Sequence, residues 1–570
     1  MTNSLKNIYQ EELAKLRVLG AEFSRDNPAL APMLGAKGDD PDVERLLEGV
    51  AFLSSLSRQT MAEGFPDLAQ SLLRMVFPSA LLPTPSATIM AFRPAQGFTE
   101  PIRVPVGSTL ASIPIDGISA KFTTTTPLTI LPAAITQATF EEGRGGEASL
   151  TLVINSPVPL SQWLPSSLVI HLVGDYPEAS ERRRILLRFS REIVVESQGQ
   201  TLSLGPECLS PWGFEADERA LPNQPQLAFN LAQEYFAMPQ KLLFLRVRGL
   251  GPLGNGQGQS LKLRFRLANL SAPLSVVRPE SFLLNACPAV NVFPHPAHPL
   301  LVDHKREEYM LLPQDHETED LEIFSVEEVR ALTLDGQTKQ YAPFEHFFQE
   351  GQGLYRVFRR ISPITGRGEH YLSLIYRPGH KPTPETLSVF LKCHNGTVAD
   401  HLRTGEISMP TDTSPAMASF VNIIPVSRAC PPISEDWQLW RLVSHLHVNL
   451  MPQLTAVGLR EILGLYSGHN DPDQGRALAN RKRLEAIEDL SLSLEDYFIK
   501  GRSYRGSRVN LTVDPTGFAS LGDLDLFGEV LERFFGLFHQ INSFSRLTIK
   551  AKDSGQTMAW PPRLGSRRLV

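Results

Sequence analysis

The stretch Leu261-Lys-Leu-Arg-Phe-Arg-Leu267 alternates strictly between apolar and basic residues. This alternation predicts a half-buried β-strand, because successive side chains of a strand point to opposite faces. Proline and glycine turns separate further segments that resemble it, namely Ser167–Val173, Ile185–Phe189, Lys241–Val247, Tyr371–Tyr376 and Leu387–Leu391. Short strands in such a series predict β-sandwich or barrel-like modules between about residues 86 and 430.

The distribution of proline marks the limits of this β-rich region. Of 45 prolines, 37 lie in residues 78–452, whereas residues 1–77 hold four and residues 453–560 hold two. Proline interrupts helix interiors and central strands but suits turns and strand edges. A helical repeat is therefore excluded for the middle of the chain.

The N-terminal end shows helical periodicity instead. Apolar residues from Leu5 to Phe23 recur at three- to five-residue steps and predict a first helix. A second helix is expected to begin at Asp40-Pro41, a capping residue followed by proline, and a third near Pro66.

Helices return after residue 430. One helix is expected to begin at Ser434 and another to end near Gly468. The last is expected to run from about Leu526 to Ile541. The predicted fold class is thus α+β and multidomain, with a β-rich, sandwich- or barrel-like middle flanked by N-terminal helices and a C-terminal α+β region. The predicted domains are residues 1–85 (helical), 86–280 (β-rich), 281–430 (β-rich) and 431–570 (α+β).

Composition excludes several classes of protein. The chain has 570 residues, a formal net charge of −6 and only four widely spaced cysteines. The slightly negative net charge gives no reason to expect nucleic acid as a partner. The cysteine spacing fits neither a disulfide framework nor a zinc site. We see no signal peptide and no apolar stretch long enough to span a membrane, so we expect a cytoplasmic protein without membrane insertion.

Two segments resemble ligand-binding loops only superficially. Gly249-Leu-Gly-Pro-Leu-Gly254 matches a dinucleotide fingerprint, but a strand pattern follows it where the fingerprint needs a helix, so we interpret it as a hairpin loop. Asp471-Pro-Asp473-Gln-Gly475 lacks the glutamate that closes a calcium loop and is interpreted as a solvated linker.

Three further groups of polar residues could carry chemistry. His295, His298, Asp303 and His304 could hold a metal, but prolines interrupt their spacing, and an extended segment is the favoured interpretation. The acidic stretch 315–320 is typical of a solvated face, and Ser444-His445 has no evident acidic partner. We therefore predict no catalytic residue, no metal and no cofactor, and hence no enzyme.

Phenylalanine is concentrated near the C-terminus. Residues 527–544 contain five of the chain's 30 phenylalanines. Phe527, Phe534 and Phe538 share one helical face, whereas Phe535 lies off it and Phe544 follows later. Either these residues form a well-packed core helix, or they form an aromatic surface that anchors a subunit interface.

Motifs along almost the whole chain resemble one family. At the N-terminus these are Ile8-Tyr-Gln-Glu-Glu-Leu13, Leu19-Gly-Ala-Glu-Phe23, Asp42-Val-Glu-Arg-Leu-Leu-Glu-Gly49, Ala51-Phe-Leu53 and Phe65-Pro66. The later ones are Pro288-Ala-Val-Asn-Val-Phe293, Asp303-His-Lys-Arg-Glu-Glu-Tyr309, Trp440-Arg-Leu-Val-Ser-His-Leu446 with Asn449, Leu531-Glu-Arg-Phe-Phe535, Ile541-Asn-Ser-Phe544 and Trp560-Pro-Pro-Arg563 with Gly565. In this order they resemble the TssF (ImpG or VasA) family of type VI secretion baseplate subunits.

The resemblance implies a structural role rather than a reaction. It implies a wedge subunit of the cytoplasmic baseplate, docked at the inner membrane, that assembles with TssG, a second copy of itself, TssK and TssE, and beyond these with the sheath and the spike hub. It also implies that the histidine cluster is part of a family motif. Two alternatives stay open: a baseplate component of a contractile phage tail or related particle, and a β-sandwich enzyme acting on glycans.

We expect the subunit contacts at both ends of the chain, where apolar stripes occur. The candidate interface residues are Leu5, Ile8, Leu16, Phe534, Phe535, Phe538, Asn542 and Phe544.

Overall fold

The structure is a computed structural model that describes most of the chain. The described residues are 2–26, 41–143, 147–221, 227–268, 270, 277–315, 320–333, 336–344, 353–362, 367–376, 383–433, 436–447, 454–468, 471–499, 502–539, 543–552 and 555–565.

Helices occupy both ends of the chain and interrupt its middle. Besides one-turn and 3₁₀ segments, the helices of the described residues are α1 (Thr2–Asp26), α2 (Pro41–Val76), α3 (Tyr176–Phe189), α4 (Leu227–Ala237), α5 (Asp436–His447), α6 (Ala456–Tyr466), α7 (Gln474–Glu485) and α8 (Leu521–Gly536).

Strands fill the middle of the chain and its C-terminal end. Before residue 270 they are β1 (Ala87–Pro94), β2 (Ile102–Val104), β3 (Thr109–Ser112), β4 (Lys121–Thr124), β5 (Leu128–Ile130), β6 (Ala134–Glu142), β7 (Ala148–Asn155), β8 (Ser167–Leu172), β9 (Ser190–Ser197), β10 (Gln200–Leu204), β11 (Leu209–Trp212), β12 (Phe244–Arg248) and β13 (Ser260–Leu267). The next are β14 (Phe282–Leu283), β15 (Ala286–Val290), β16 (Phe293–Pro296), β17 (Leu300–Val302), β18 (Tyr309–Leu311), β19 (Glu322–Thr333), β20 (Thr338–Pro343), β21 (Gly353–Ile361), β22 (Gly368–Ile375), β23 (Glu385–His394), β24 (Ile407–Met409) and β25 (Ala418–Asn422). The last are β26 (Ile487–Ile499), β27 (Arg502–Val513), β28 (Phe544–Ala551), β29 (Thr557–Ala559) and β30 (Arg563–Leu564).

These strands form several separate sheets. The strand orders are β24-β3-β4-β15-β1-β25, β10-β9-β13-β7-β6, β11-β12-β8-β14, β16-β23-β19-β20-β21-β22-β18 with β17 on β23, β2-β5, and β26-β27-β28-β29 with β30 on β28. One of the sheets is nearly closed and barrel-like. The predicted class, a β-rich middle with helical and α+β ends, is confirmed.

The alternating stretch lies at the centre of its sheet. β13 pairs with β7 on one side and β9 on the other. Its four apolar side chains, from Leu261 to Leu267, are almost fully buried. The alternation therefore predicted both the strand and its buried face.

One sheet joins strands that lie far apart in sequence. β1 pairs with β15 and with β25, so residues 87–94 lie between residues 286–290 and 418–422. These strands come from both of the predicted β-rich domains. By its contacts, the chain divides into a smaller unit of residues 1–81, 359–369 and 433–446, and a larger unit that contains the rest.

Two helical segments differ from the prediction. The segment Ile185–Phe189 is the end of α3 rather than a strand, because a short apolar run fits either period; α3 begins upstream, with Pro177 in its first turn. The helices predicted around Pro41 and Pro66 are one continuous helix, α2. Proline keeps a helical φ, so a long helix can continue through it at the loss of one backbone hydrogen bond.

Candidate partner-binding surfaces

The N-terminal helices α1 and α2 pack on each other as an antiparallel pair. Arg17 Nε donates a hydrogen bond to Glu44 Oε1 at 2.9 Å, and the Ser54 hydroxyl donates to Glu12 at 3.4 Å. A later residue of α1 thus meets an earlier residue of α2. The bond to Glu44 raises the pKa of the Arg17 guanidinium. Ala51 is fully buried.

Large apolar side chains on these two helices nevertheless stay exposed. On α2, Leu46, Val50 and Leu53 follow at helical spacing and are 69%, 50% and 67% exposed. Six more large apolar side chains on α1 and α2 are exposed: Val18, Leu19, Phe23, Phe52, Leu72 and Met75. We call these nine residues the α1–α2 apolar surface. Large apolar side chains exposed next to one another, as Leu46, Val50 and Leu53 are, are typical of a protein–protein contact site.

The predicted N-terminal candidates belong to α1. Leu16 is half-buried. The side chains of Leu5 and Ile8 lie outside the described residues. The exposed residues that the prediction missed lie on both helices: Val18, Leu19 and Phe23 on α1, and six on α2, where the spacing of Leu46, Val50 and Leu53 was the available signal.

The C-terminal candidates are placed mostly in the interior of the larger unit. Phe534, Phe535 and Phe544 are fully buried. Phe538 is half-buried, and Asn542 lies outside the described residues. Because a fully buried side chain offers no surface, the burial supports the core-helix interpretation of this segment.

Aromatic rings on α4 and α8 account for this burial. The ring centroid of Phe229 lies 5.7 Å from that of Phe534 and 6.4 Å from that of Phe538. Tyr235 lies 5.5 Å from Phe527 in the same way. α8 therefore packs against α4, a helix that lies almost 300 residues earlier in the chain.

The histidine cluster is held by the protein's own groups. His295 Nε2 lies 2.8 Å from the carbonyl oxygen of Gln314. His304 contacts the Tyr376 hydroxyl through Nδ1 and the carbonyl oxygen of Thr383 through Nε2, at 2.7 Å for the latter. Among the described residues, no group of three or more His, Cys, Asp or Glu side chains could hold a metal ion.

The remaining cluster members stabilise the turn before β18. The Tyr309 hydroxyl donates to Asp303 Oδ1 at 3.1 Å, and the backbone N–H of Lys305 donates to the same atom. These bonds, the backbone one first, lower the pKa of the Asp303 carboxyl. His298 donates its backbone N–H to the carbonyl of Leu312. The family motif around Asp303 is thus explained by local structure.

The glycine-rich segment 249–254 connects two sheets. It follows β12 and leads through a 3₁₀ turn into β13, and these two strands belong to different sheets. The dinucleotide interpretation fails, as expected, since no helix follows. The segment is, however, not a hairpin loop.

The segment 471–475 caps a helix and is only partly buried. Asp473 Oδ1 accepts hydrogen bonds from the backbone N–H groups of Gly475 and Arg476, and Asp473 thereby caps the start of α7. The side chain of Asp471 is almost fully buried and forms an ion pair with Arg476 at 2.5 Å. Pro472, Gln474 and Gly475 are exposed, as the prediction of a solvated segment requires, whereas the ion pair of Asp471 was not predicted.

Two other features of the sequence, Ser444-His445 and the acidic stretch, provide no catalytic group among the described residues. The Ser444 hydroxyl donates to the Trp440 carbonyl at 2.8 Å, a bond within α5. Of the acidic stretch 315–320, residues 316–319 lie outside the described residues.

One cavity of about 220 Å³ contains carboxylates. Its lining includes Asp217, Glu218 and Arg246. Both oxygens of Glu218 are engaged: Oε1 accepts from Arg246 at 2.5 Å, and Oε2 accepts the backbone N–H of Gly213 at 2.7 Å and of Phe214 at 3.0 Å. The arrangement ties the loop at residues 213–218 to Arg246 of β12.

A buried polar centre that the sequence did not reveal lies at Asp523. Its Oδ1 accepts hydrogen bonds from the hydroxyls of Tyr176 and Tyr235, at 2.6 and 2.7 Å. Its Oδ2 accepts two bonds from Arg483, at 3.1 and 3.0 Å, and one from the backbone N–H of Ala519. The cluster ties together α3, α4, α7 and α8.

None of the helices in the described residues combines the length and apolarity needed to cross a membrane.

Comparison with known proteins gives consistent matches. The family model described as "Type VI secretion system, TssF" matches residues 1–567. The chain is 25% identical to the type VI secretion system component TssF1 of Pseudomonas aeruginosa. The alignment is 631 positions long and covers 100% of both chains.

Solved structures agree with this match. One chain of the type VI secretion TssK-TssF-TssG baseplate subcomplex, solved by cryo-electron microscopy, has a TM-score of 0.77 and 26% identity, covering 92% of this chain and 99% of that one. A chain of the type VI secretion baseplate complex shares the fold, with a TM-score of 0.61, 22% identity and coverages of 99% and 100%. Because the family model spans nearly the whole sequence, this chain belongs to the TssF family of the type VI secretion system.

Proposed function

We propose that this type VI secretion baseplate subunit works by assembly, with the α1–α2 apolar surface as a main contact to neighbouring subunits. The observation that carries the proposal is the exposure of nine large apolar side chains on one pair of helices. Fully burying one leucine gains roughly 1.5–3 kcal/mol, so covering several of them can hold a permanent complex together.

TssG and TssK are the partners we infer first. Support comes from the resemblance of this chain to one in a TssK-TssF-TssG baseplate subcomplex. The family resemblance adds a second copy of this chain, TssE, the sheath and the spike hub. We place the assembly in the cytoplasm at an inner-membrane-docked baseplate, which is where a wedge subunit of this family would act.

We further infer that the chain catalyses no reaction. The family is one of structural baseplate components. The oxygens of Glu218, in the cavity described above, are already engaged by Arg246 and backbone N–H groups. The family match also favours secretion over the phage-tail and glycan-enzyme alternatives.

Substitution of Leu53 tests the contact surface. Leu53→Glu places a charge on the α1–α2 apolar surface and should weaken co-purification with co-expressed TssG and TssK by about tenfold or more, because a carboxylate would be desolvated in the interface. Native mass spectrometry of the co-expressed complex measures the loss.

Leu301→Glu is the matched control. Leu301 on β17 is 68% exposed, against 67% for Leu53, but belongs to the larger unit. It should leave co-purification unchanged. If Leu53→Glu retains wild-type assembly, or if both variants lose it equally, α1–α2 is not the specific contact.

A further inference from the structure

The C-terminal sheet ends in an unpaired edge. β26 is its outermost strand and is paired with β27 from Asp489 to Ile499; in the described part of the chain its other edge carries no strand. β28 supports only residues 507–513 of β27. The far end of the hairpin, residues 495–499 with 502–506, therefore has no third strand beside it, although the Tyr497 ring contacts that of Phe544, with 5.8 Å between the centroids.

Both faces of this strand are exposed near its middle. Leu494 is 70% exposed, the highest value among the large apolar side chains of the described residues. Ser491 and Ser493, on the opposite face, and Asp496 are exposed as well. An exposed edge with an apolar side chain is a template for a further strand, and a two-stranded ribbon alone is only marginally stable in water.

We propose that this edge binds the same edge of a second copy of the chain, with the two β26 strands antiparallel around a two-fold axis at Leu494. The inference deepens the second-copy contact of the proposed function, and rests on it, by naming the strand that forms it. A two-fold contact uses the same residues on both copies and so requires a self-complementary strand.

The charges of β26 select the position of the axis. With the axis at Leu494, the carboxylates at 489, 495 and 496 lie opposite residues 499, 493 and 492, which are all uncharged. An axis at residue 492 would place Asp489 opposite Glu495, and an axis at 495 would place Glu495 opposite itself; within its own sheet Glu495 is also paired with Arg508 and Arg546, at 2.6 and 3.2 Å. Like charges directly opposite each other destabilise a strand pair.

Strand length decides between an axis at Leu494 and an axis at Ser493. The regular part of β26 runs from Asp489 to Ile499, because a bulge lies between Ile487 and Asp489. Its midpoint is Leu494, so an axis there pairs the whole regular segment with itself. An axis at Ser493 would extend the pairing into the bulge.

This register also explains how the far end of the hairpin is supported. In each copy, residues 495–499 lie beside residues 489–493 of the other copy, which β27 and β28 anchor. Leu494 packs against its own symmetry mate at the axis. Each copy thus supplies the third strand that the other lacks.

Cysteine cross-linking of the full chain tests the register. Leu494→Cys should give a covalent dimer on mild oxidation, because the two thiols face each other across the axis. Ser491→Cys is the control on the same strand: it lies opposite residue 497, so the two Ser491 positions are about 20 Å apart, at roughly 3.3 Å per residue. Leu301→Cys, with nearly the same exposure as Leu494, reports random collision.

The expected result is a dimer band for Leu494→Cys alone. Equal cross-linking of all three variants, or none with Leu494→Cys, overturns the proposal. Leu494→Arg adds a measurement without a thiol: circular dichroism should stay native since the side chain is exposed, and sedimentation should show at least a tenfold higher dimer dissociation constant. An unchanged constant also overturns it, whereas binding of TssG, tested separately, bears only on the proposed function.

Discussion

At the scale of single residues, the Asp523 side chain is fully buried, and both of its carboxyl oxygens accept hydrogen bonds. Removing a carboxylate from water costs several kcal/mol, and only good geometry with filled hydrogen-bonding positions offsets that cost. Arg483, two tyrosine hydroxyls and a backbone N–H fill the positions here. Burial, with the neighbouring carboxylate, raises the pKa of Tyr176 and Tyr235, so both hydroxyls stay protonated as donors.

His171 makes stability depend on pH. Its ring is buried against Phe244, with Nε2 3.4 Å from the Gln240 carbonyl, and burial lowers its pKa to about 4. In the unfolded chain the pKa returns to about 6.5, so between these values the unfolded state binds more protons. Through His171, the free energy of unfolding changes little above pH 6.5 and decreases as the pH drops towards 4. At pH 5 this decrease is about 2 kcal/mol.

The variant His171→Gln should lose this part of the acid sensitivity. Guanidinium unfolding at pH 7.5 and pH 5 gives the difference for wild type and variant, and carboxylates common to both cancel in the comparison. His401→Gln, at an exposed position, should behave as wild type. An equal acid response of wild type and His171→Gln would show that this imidazole is not the group responsible.

At the scale of elements, local pattern predicted what most segments form, with Ile185–Phe189 as an exception, but not which other elements they contact. The alternation at Leu261–Leu267 and the helical spacing from Leu5 to Phe23 depend only on neighbouring residues, and both elements occur. The pairing of β1 with β15 and β25 depends on residues some 200 and 330 positions away, which no local period encodes. The same limit left open whether the phenylalanines of α8 face the core or solvent.

Gly522 permits the close approach of α8 to α3. A Cβ at this position would lie 2.2 Å from the backbone carbon of Ser180, and backbone cannot swing aside as a side chain can. Gly522→Ala should therefore lower stability by roughly 1–3 kcal/mol, the usual cost of overpacking. The thermal unfolding midpoint measures it.

Gly464 in α6 provides the matched comparison. A Cβ there meets nothing within 4 Å. Gly464→Ala should raise stability by up to about 1 kcal/mol, since alanine favours helix over glycine. If the two variants shift the midpoint in the same direction, close helix approach is not what selects glycine at position 522.

At the scale of the whole molecule, the end of the chain completes a core that the middle begins. α4 directs Phe229 towards Tyr466, Phe534 and Phe538, and Tyr235 towards Phe527. Polar groups from α7 close the end of α4: Asn480 donates to the Phe236 carbonyl at 3.0 Å, and Arg476 to that of Ala237 at 3.2 Å. The predicted boundary near 430 is therefore crossed by a continuous core.

A chain that ends at residue 446 should consequently fail to fold in its larger unit. It would leave Phe229, Tyr235 and Phe236 without the residues that bury them, and exposing three aromatic side chains costs several kcal/mol against a total stability of about 5–15 kcal/mol. We expect aggregation, or loss of the near-ultraviolet dichroism of packed aromatic rings, and rapid cleavage within residues 227–248 by limited proteolysis. A chain that ends at Gly565 keeps every described element and should match the full chain in both measurements. Native protection of residues 227–248 in the shorter chain would mean that the middle of the molecule folds without its C-terminal helices, contrary to the packing of α4 on α8.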